Sequence, residues 1–268
     1  MNQTRFDMPV VFGPSIMPDE SHIPHAEVVA IVFETTKDAA AKLLPRYFEL
    51  ADSAVISVTR IEYQGVDYLG GRSYSEVVLS VRSVYRGEGE TITAGFAPVM
   101  WVSEVGALIS GREFMGFAKL PGEMTGIRHQ GDRRTFDCSE YGALLFQGEA
   151  SGLQRLSDEA LARVQRNATA VNTFGWKYIS GNEGTPDVDY PTINVMRWNY
   201  TDAWTGEGRL QIFQPDHHAA PLSSRVMATL SALPITHYRQ SFVGEGSAVI
   251  DRTATRRLKQ TNDLGRAV

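Results

Sequence analysis

Apolar positions along the chain recur mostly with period two, and the elements this predicts are strands joined by turns. Residues 26–33 (AEVVAIVF) concentrate β-branched side chains as a buried strand does. Residues 54–63 and 72–85 alternate apolar and polar positions. After the turn chemistry of Arg86-Gly87-Glu88-Gly89, residues 91–102 predict the next strand. Residues 133–148, 192–200, 209–213 and 247–252 add more. Helical signals are few. Thr35 or Thr36 caps a short helix over 37–44, which Pro45 ends. Residues 104–111 predict one or two helical turns, and residues 223–233 another short helix. The clearest helix spans 157–167, with Ser157 at its cap, Asp158 and Glu159 in its first turn, and Leu161 and Val164 on one face.

The fold class this predicts is mainly β, an α+β chain with a few short helices. There is no regular strand–helix alternation, which excludes a doubly wound sheet. No linker divides the chain, so residues 1–268 are expected to form one domain. Pro9, Pro14, Pro18 and Pro24 predict an extended N-terminal arm over residues 1–25, and the polar residues 256–268 predict a frayed tail. Gly-Glu-Gly occurs at 87–89, 206–208 and 244–246, each copy between β-like runs, and a hairpin turn is expected at all three. None extends to G-x-G-x-x-G, and no phosphate-binding loop is present.

Charge and cysteine content narrow the function classes. A formal net charge of −5 argues against a nucleic-acid partner, which rewards basic stripes. The only cysteine, Cys138, permits no intrachain disulfide and is expected to be a buried, inert thiol. The first residues lack the apolar core of a signal peptide, and no apolar run approaches the roughly 20 residues of a membrane helix. A cytoplasmic protein without a membrane partner is expected.

The lysines carry the candidate chemistry. Of 26 basic residues only five are lysines. Lys37 and Lys42 belong to a short surface helix, and Lys259 to the polar tail. Lys119 lies in Phe114-Met115-Gly116-Phe117-Ala118-Lys119-Leu120-Pro121, with no other charge. An amine taken out of water is disfavoured as the ammonium. As the free base it attacks a carbonyl and loses water to form an imine, an electron sink for cleavage of a neighbouring C–C or C–H bond. Lys177, in Phe174-Gly175-Trp176-Lys177-Tyr178, has a similar setting, and local composition does not separate the two.

The stretch Gly111-Arg112-Glu113-Phe114-Met115-Gly116-Phe117-Ala118-Lys119 resembles the Schiff-base motif of the acetoacetate decarboxylase family, with Phe117 for its usual tyrosine and Ala118 for its proline. Residues 203–213 (AWTGEGRLQIF), followed by Ala220-Pro221-Leu222, resemble a second segment of that family and are the more specific match. Weaker similarity covers residues 27–45 and Tyr74-Ser75-Glu76. The resemblance implies an antiparallel β cone or double barrel around a deep apolar pocket, a homo-oligomer, a small oxo acid as substrate, and no cofactor. It implies Lys119 as nucleophile and Glu76 as proton donor or acceptor. Arg112, Glu113, Met115, Phe117, Trp204 and Gln211 are then expected along the substrate, although an Arg112–Glu113 pair equally suits bracing of the loop. The family is itself a known example of a lysine activated by desolvation or a neighbouring cation, so the imine chemistry comes with the resemblance.

Two departures bear on the substrate. Leu120 stands where the family has a second lysine, and His25 and Ala26 stand where it has an arginine before the first strand. The imine has two expected fates: decarboxylation of acetoacetate or a related 3-oxo acid, or enamine formation and condensation of pyruvate with an aldehyde followed by dehydration. A non-catalytic oxo-acid-binding module is the third reading. A metal site is not expected: Asp216-His217-His218 and the pair His22 and His25 match no ligand spacing.

Overall fold

The computed structural model describes residues 5–87 and 89–259. The expected tail over 260–268 and the first four residues of the expected arm lie outside the described residues. Thirteen strands follow in chain order among the described residues: β1 Glu20–Glu34, β2 Glu49–Leu50, β3 Val55–Val66, β4 Arg72–Gly87, β5 Glu90–Val102, β6 Lys119–Pro121, β7 Arg128–Gln130, β8 Arg133–Glu140, β9 Ala143–Arg155, β10 Val171–Ser180, β11 Pro186–Ile212, β12 His237–Tyr238 and β13 Ser241–Arg257. Four short helices intervene: α1 Lys37–Ala41, α2 Val105–Ser110, α3 Asp158–Ala168 and α4 Ser224–Ser231. The mainly β class expected from the sequence is what forms.

Seven strands close on themselves in the order β5-β4-β3-β1-β13-β11-β10. The seam is short and parallel: β10 pairs with β5 through Thr173–Gly95 and Phe174–Phe96, and with β11 along its other edge. Beyond the barrel, β11 runs on to pair with β9, which continues to β8 and β7 as a second layer. The main apolar core lies between these layers. Val29, Ile31, Ile56, Val58, Val77, Leu79 and Trp101 leave the outer face of the barrel to meet Phe136, Phe146 and the α4 residues Met227 and Leu230. Trp101 Nε1 donates to Ser223 Oγ (2.8 Å), satisfying the one polar atom that ring buries there. Because apolar burial is achieved outside the barrel, the barrel interior is free to hold a cavity.

Several expectations need correction. The strand expected over 26–33 begins at Glu20, so residues 20–25 of the expected arm belong to β1; they find a ladder partner in β13 (Ser21–Ile250, Ile23–Ala248) despite Pro24. The strands expected over 192–200 and 209–213 are one 27-residue strand. Of the three Gly-Glu-Gly copies, only the first stands where two paired strands meet: Gly87 ends β4 opposite Glu90 of β5, and Gly89 has φ +76°. Gly206 and Gly208 lie inside β11, and Gly244 and Gly246 inside β13. They answer to crowding: a Cβ on Gly246 would sit 2.0 Å from Asn199 O, and one on Gly244 2.7 Å from the Tyr200 ring. Residues 133–148 form two strands, because Tyr141 (φ +47°) and Gly142 (φ +79°) turn the chain. Arg256 and Arg257 of the expected tail are in β13, and Leu258 is fully buried beside Ile193 and Phe174.

The helix caps are where the sequence puts them. Thr36 Oγ1 accepts from Ala39 N (3.3 Å) and Ser157 Oγ from Ala160 N (3.3 Å). Glu104 caps α2 by accepting from Ala107 N (2.9 Å). The chain then widens into a π-helical turn over Gly111–Met115 before entering β6, and this turn positions the candidate nucleophile.

Candidate active site

Alternation along the barrel strands decides which side chains face inward. On β4 these are Tyr74, Glu76, Val78 and Ser80, and on β3 Ser57, Thr59, Ile61 and Tyr63; all of them line one cavity of about 370 Å³. Lys119 enters it from β6 and is 6% exposed. Its Nζ donates to Glu76 Oε1 in a close contact and to Ala107 O (3.2 Å). Glu76 is 5% exposed. Among the described residues, Lys119 is the only cation lining this cavity. An amine and a carboxylate therefore share a site that otherwise offers hydroxyls, amides and apolar surface.

The segment before Lys119 is shaped by glycines. A Cβ on Gly111 would lie 2.5 Å from Lys119 Cε and 3.0 Å from Nζ, so only glycine leaves room for the extended side chain. Gly116, at φ +76°, packs on β10, where its carbonyl accepts from Trp176 N (2.9 Å); a Cβ on Gly175 would sit 2.7 Å from that same oxygen. Met115 O accepts from Thr192 Oγ1 (2.7 Å) and Asn194 Nδ2 (3.0 Å). Arg112 Nη1 donates to Lys119 O (3.0 Å), holding the backbone of the lysine from outside the cavity.

The residues expected from the sequence therefore divide. Lys119, Glu76, Met115 and Phe117 meet at the cavity. Arg112 and Glu113 do not; both line another groove, and Arg112, whose guanidinium braces the β6 backbone, is exposed. Trp204 packs against the interlayer core under the Arg134 guanidinium, and Gln211 is exposed in the part of β11 that has left the barrel. Lys177 does not line the cavity, and its Cβ lies against Gly116. Leu120 points to the opposite side of β6 from Lys119, into the interlayer core, so the residue at that position does not face the amine.

The sequence alone does not single out an aromatic wall that the structure shows. Tyr63 and Tyr74 lie tilted at 39° with centroids 4.7 Å apart, while Tyr63 stacks on Trp198 at 6.2 Å and Trp198 on Tyr200 at 5.4 Å and 8° between planes. Burial, then the charge of Glu76, pushes the Tyr63 and Tyr74 phenols well above their usual range, and burial pushes Tyr68 up to about 12. These phenols stay neutral and act as donors or as flat apolar surface. A signal for them existed: once Glu76 is placed inward, the two-residue period places Tyr74 and Ser80 inward too.

Three other sites carry groups of candidate chemistry. Asp216 Oδ1 accepts from His218 N and Ala219 N (2.9 Å each), as a turn residue does. Glu27, His129 and Glu245 bring ligand atoms within 4.8 Å of one another, a trio that sequence spacing did not suggest. The Arg134 guanidinium already stands 3.5 Å from Glu27 Oε1. Cys138 is fully buried, and burial pushes its thiol up.

The family model for acetoacetate decarboxylase matches residues 7–253. No curated protein matches the sequence. Among solved structures, an acetoacetate decarboxylase aligns over 97% of both chains with a TM-score of 0.76 and 18% identity. The acetoacetate decarboxylase of Legionella pneumophila aligns over 95% of this chain and 93% of its own, with a TM-score of 0.74 and 20% identity. The enduracididine biosynthesis enzyme MppR, complexed with pyruvate, covers 97% of this chain and 99% of its own, with a TM-score of 0.72 and 16% identity. The same enzyme has also been solved with the condensation product of pyruvate and imidazole 4-carboxaldehyde.

Proposed function

Because the chain belongs to the acetoacetate decarboxylase family, we propose that it is a lyase in which Lys119 forms a Schiff base with a small oxo acid, decarboxylation of a 3-oxo acid being the reaction. The observation that carries this reading is the Lys119–Glu76 pair, both members buried, in a cavity lined by no other cation among the described residues. The Lys119 proton passes to Glu76, and the freed Nζ lone pair attacks the substrate ketone. The carbinolamine takes up a proton from solvent, loses water and becomes a protonated imine. The electron pair of the C–CO2 bond then flows to the imine nitrogen, carbon dioxide leaves, and an enamine remains. Glu76, now the acid, returns a proton to the enamine carbon; water hydrolyses the imine and releases the ketone and the lysine. A cavity without a guanidinium solvates the substrate carboxylate poorly, which favours losing it as neutral carbon dioxide.

One observation supports a second reading. The cavity holds more than a four-carbon acid, and its aromatic wall suits a second reactant. In that case Glu76 gives the proton it took from Lys119 to the departing water, the imine of pyruvate then loses an α-proton to the Glu76 carboxylate, and the enamine attacks an aldehyde. Carbon dioxide release from acetoacetate, measured beside condensation of pyruvate with an aromatic aldehyde, divides the two. The first reading expects carbon dioxide and no condensation. Condensation alone selects the second, and neither product from the wild-type chain removes both.

A further inference from the structure

A second concavity, of about 420 Å³, lies outside the barrel, where the end of α1, the π-helical turn and α4 come together. That volume is within the roughly 300–1,000 Å³ of small-molecule sites. Leu43, Leu120 and Val226 line its floor and belong to the edge of the interlayer core, where they are only half-buried. Apolar core surface is therefore within reach of a ligand here. Three cations stand around that floor, Lys42, Arg112 and Arg225, and no carboxylate lines the groove. All three are exposed, and among the described residues none of them forms an ion pair. Arg112 spends one N–H on Lys119 O, and its guanidinium has five, so donors are left for a ligand. The chain has 31 acidic residues against 26 basic ones, yet none of the 31 answers this group. Like charges around one groove repel, and an anion seated among them relieves the repulsion.

We propose that this groove is a second ligand site, separate from the Lys119 cavity, and that it takes a small amphipathic anion: a carboxylate with an apolar chain or ring. The carboxylate sits among Lys42, Arg112 and Arg225, and the apolar end lies on Leu43, Leu120 and Val226. Leu120 and Lys119 point to opposite sides of β6, so the ligand does not meet the amine. Arg112 joins the groove to the backbone of the nucleophile. The site does not depend on imine chemistry.

The test titrates octanoate, octan-1-ol and inorganic phosphate calorimetrically into the full chain at low ionic strength. Octanoate is expected to bind saturably. Octan-1-ol, which lacks the charge, and phosphate, which lacks the apolar end, are each expected to bind at least about tenfold more weakly. The double variant Lys42→Gln, Arg225→Gln removes two exposed charges that pair with no acid and keeps Arg112 on the Lys119 carbonyl. It is expected to stay folded by circular dichroism and to weaken octanoate about tenfold. Lys119→Gln removes the cation of the barrel cavity and is expected to leave octanoate binding unchanged. No octanoate binding to the wild-type chain, equal binding to the folded double variant, or phosphate or octanol binding as tightly as octanoate overturns the proposal. So does octanoate binding that folded Lys119→Gln loses, since the anion would then occupy the barrel cavity.

Discussion

Lys119 is held by neighbours rather than by its own segment. Gly111 leaves space for the stem, Arg112 fixes the carbonyl, and Glu76 receives the amine. Gly111→Ala should therefore leave the fold intact and lower turnover by about 100-fold, since a Cβ 2.5 Å from Cε displaces the nucleophile. Steady-state rates beside circular dichroism check this; wild-type turnover would refute it. Glu76→Gln keeps a hydrogen-bonding partner but no base, and should slow turnover by about 10²–10⁴-fold while an imine remains trappable. A Glu76→Gln enzyme with wild-type kcat would remove Glu76 from the mechanism. At this scale the family resemblance, not local composition, pointed to Lys119 and Glu76, which the structure brings together at one cavity. Arg112, Glu113, Trp204 and Gln211 lie off that cavity, because closeness in sequence to a motif says nothing about which side of the backbone faces inward; for Arg112 the bracing alternative is what the structure shows.

Among the elements, β11 and β13 departed most from expectation. Gly-Glu-Gly reads as turn punctuation, yet in both strands the glycines permit close approach of backbone or ring to the pleat. A one-dimensional pattern contains no record of what crosses above a strand. Gly246→Ala should cost about 1–3 kcal/mol through overpacking against Asn199 O, read as a lowered denaturant midpoint. Unchanged stability would return that glycine to the role of a surface turn. The short helices were legible because Thr36 and Ser157 announce their own caps, whereas the π-helical turn over Gly111–Met115 has no local sequence signature.

In the molecule as a whole, function depends on barrel closure at β10. Asp189 latches that region: Trp176 Nε1 and Tyr47 Oη donate to its Oδ1 (2.7 Å each), and Arg46 Nη2 to its Oδ2 (2.5 Å). Burial alone would raise the Asp189 carboxyl, but these hydrogen bonds outweigh it and hold the group below its usual value of 3.8. A carboxyl lowered on folding contributes stability above its unfolded value and loses it as pH falls through the lower folded one. Asp189→Asn should therefore lower Tm by about 2–4 °C at pH 7, and the difference should shrink as pH drops below about 4. A difference independent of pH would mean that the charge on Asp189 is irrelevant to the latch. The strand-rich class was legible from the two-residue period. The closure was not, because a two-pair parallel seam leaves no mark on periodicity. Nor was the placing of the main core outside the barrel, which empties the interior for the site.

The most direct measurement is peptide mass mapping after borohydride reduction of the chain with acetoacetate or pyruvate. One reduced adduct is expected, on the peptide containing Lys119. It should be absent from Lys119→Arg, whose guanidinium forms no imine, and retained in Lys177→Arg. An adduct on Lys177, or none on the wild-type chain with either acid, would contradict the account.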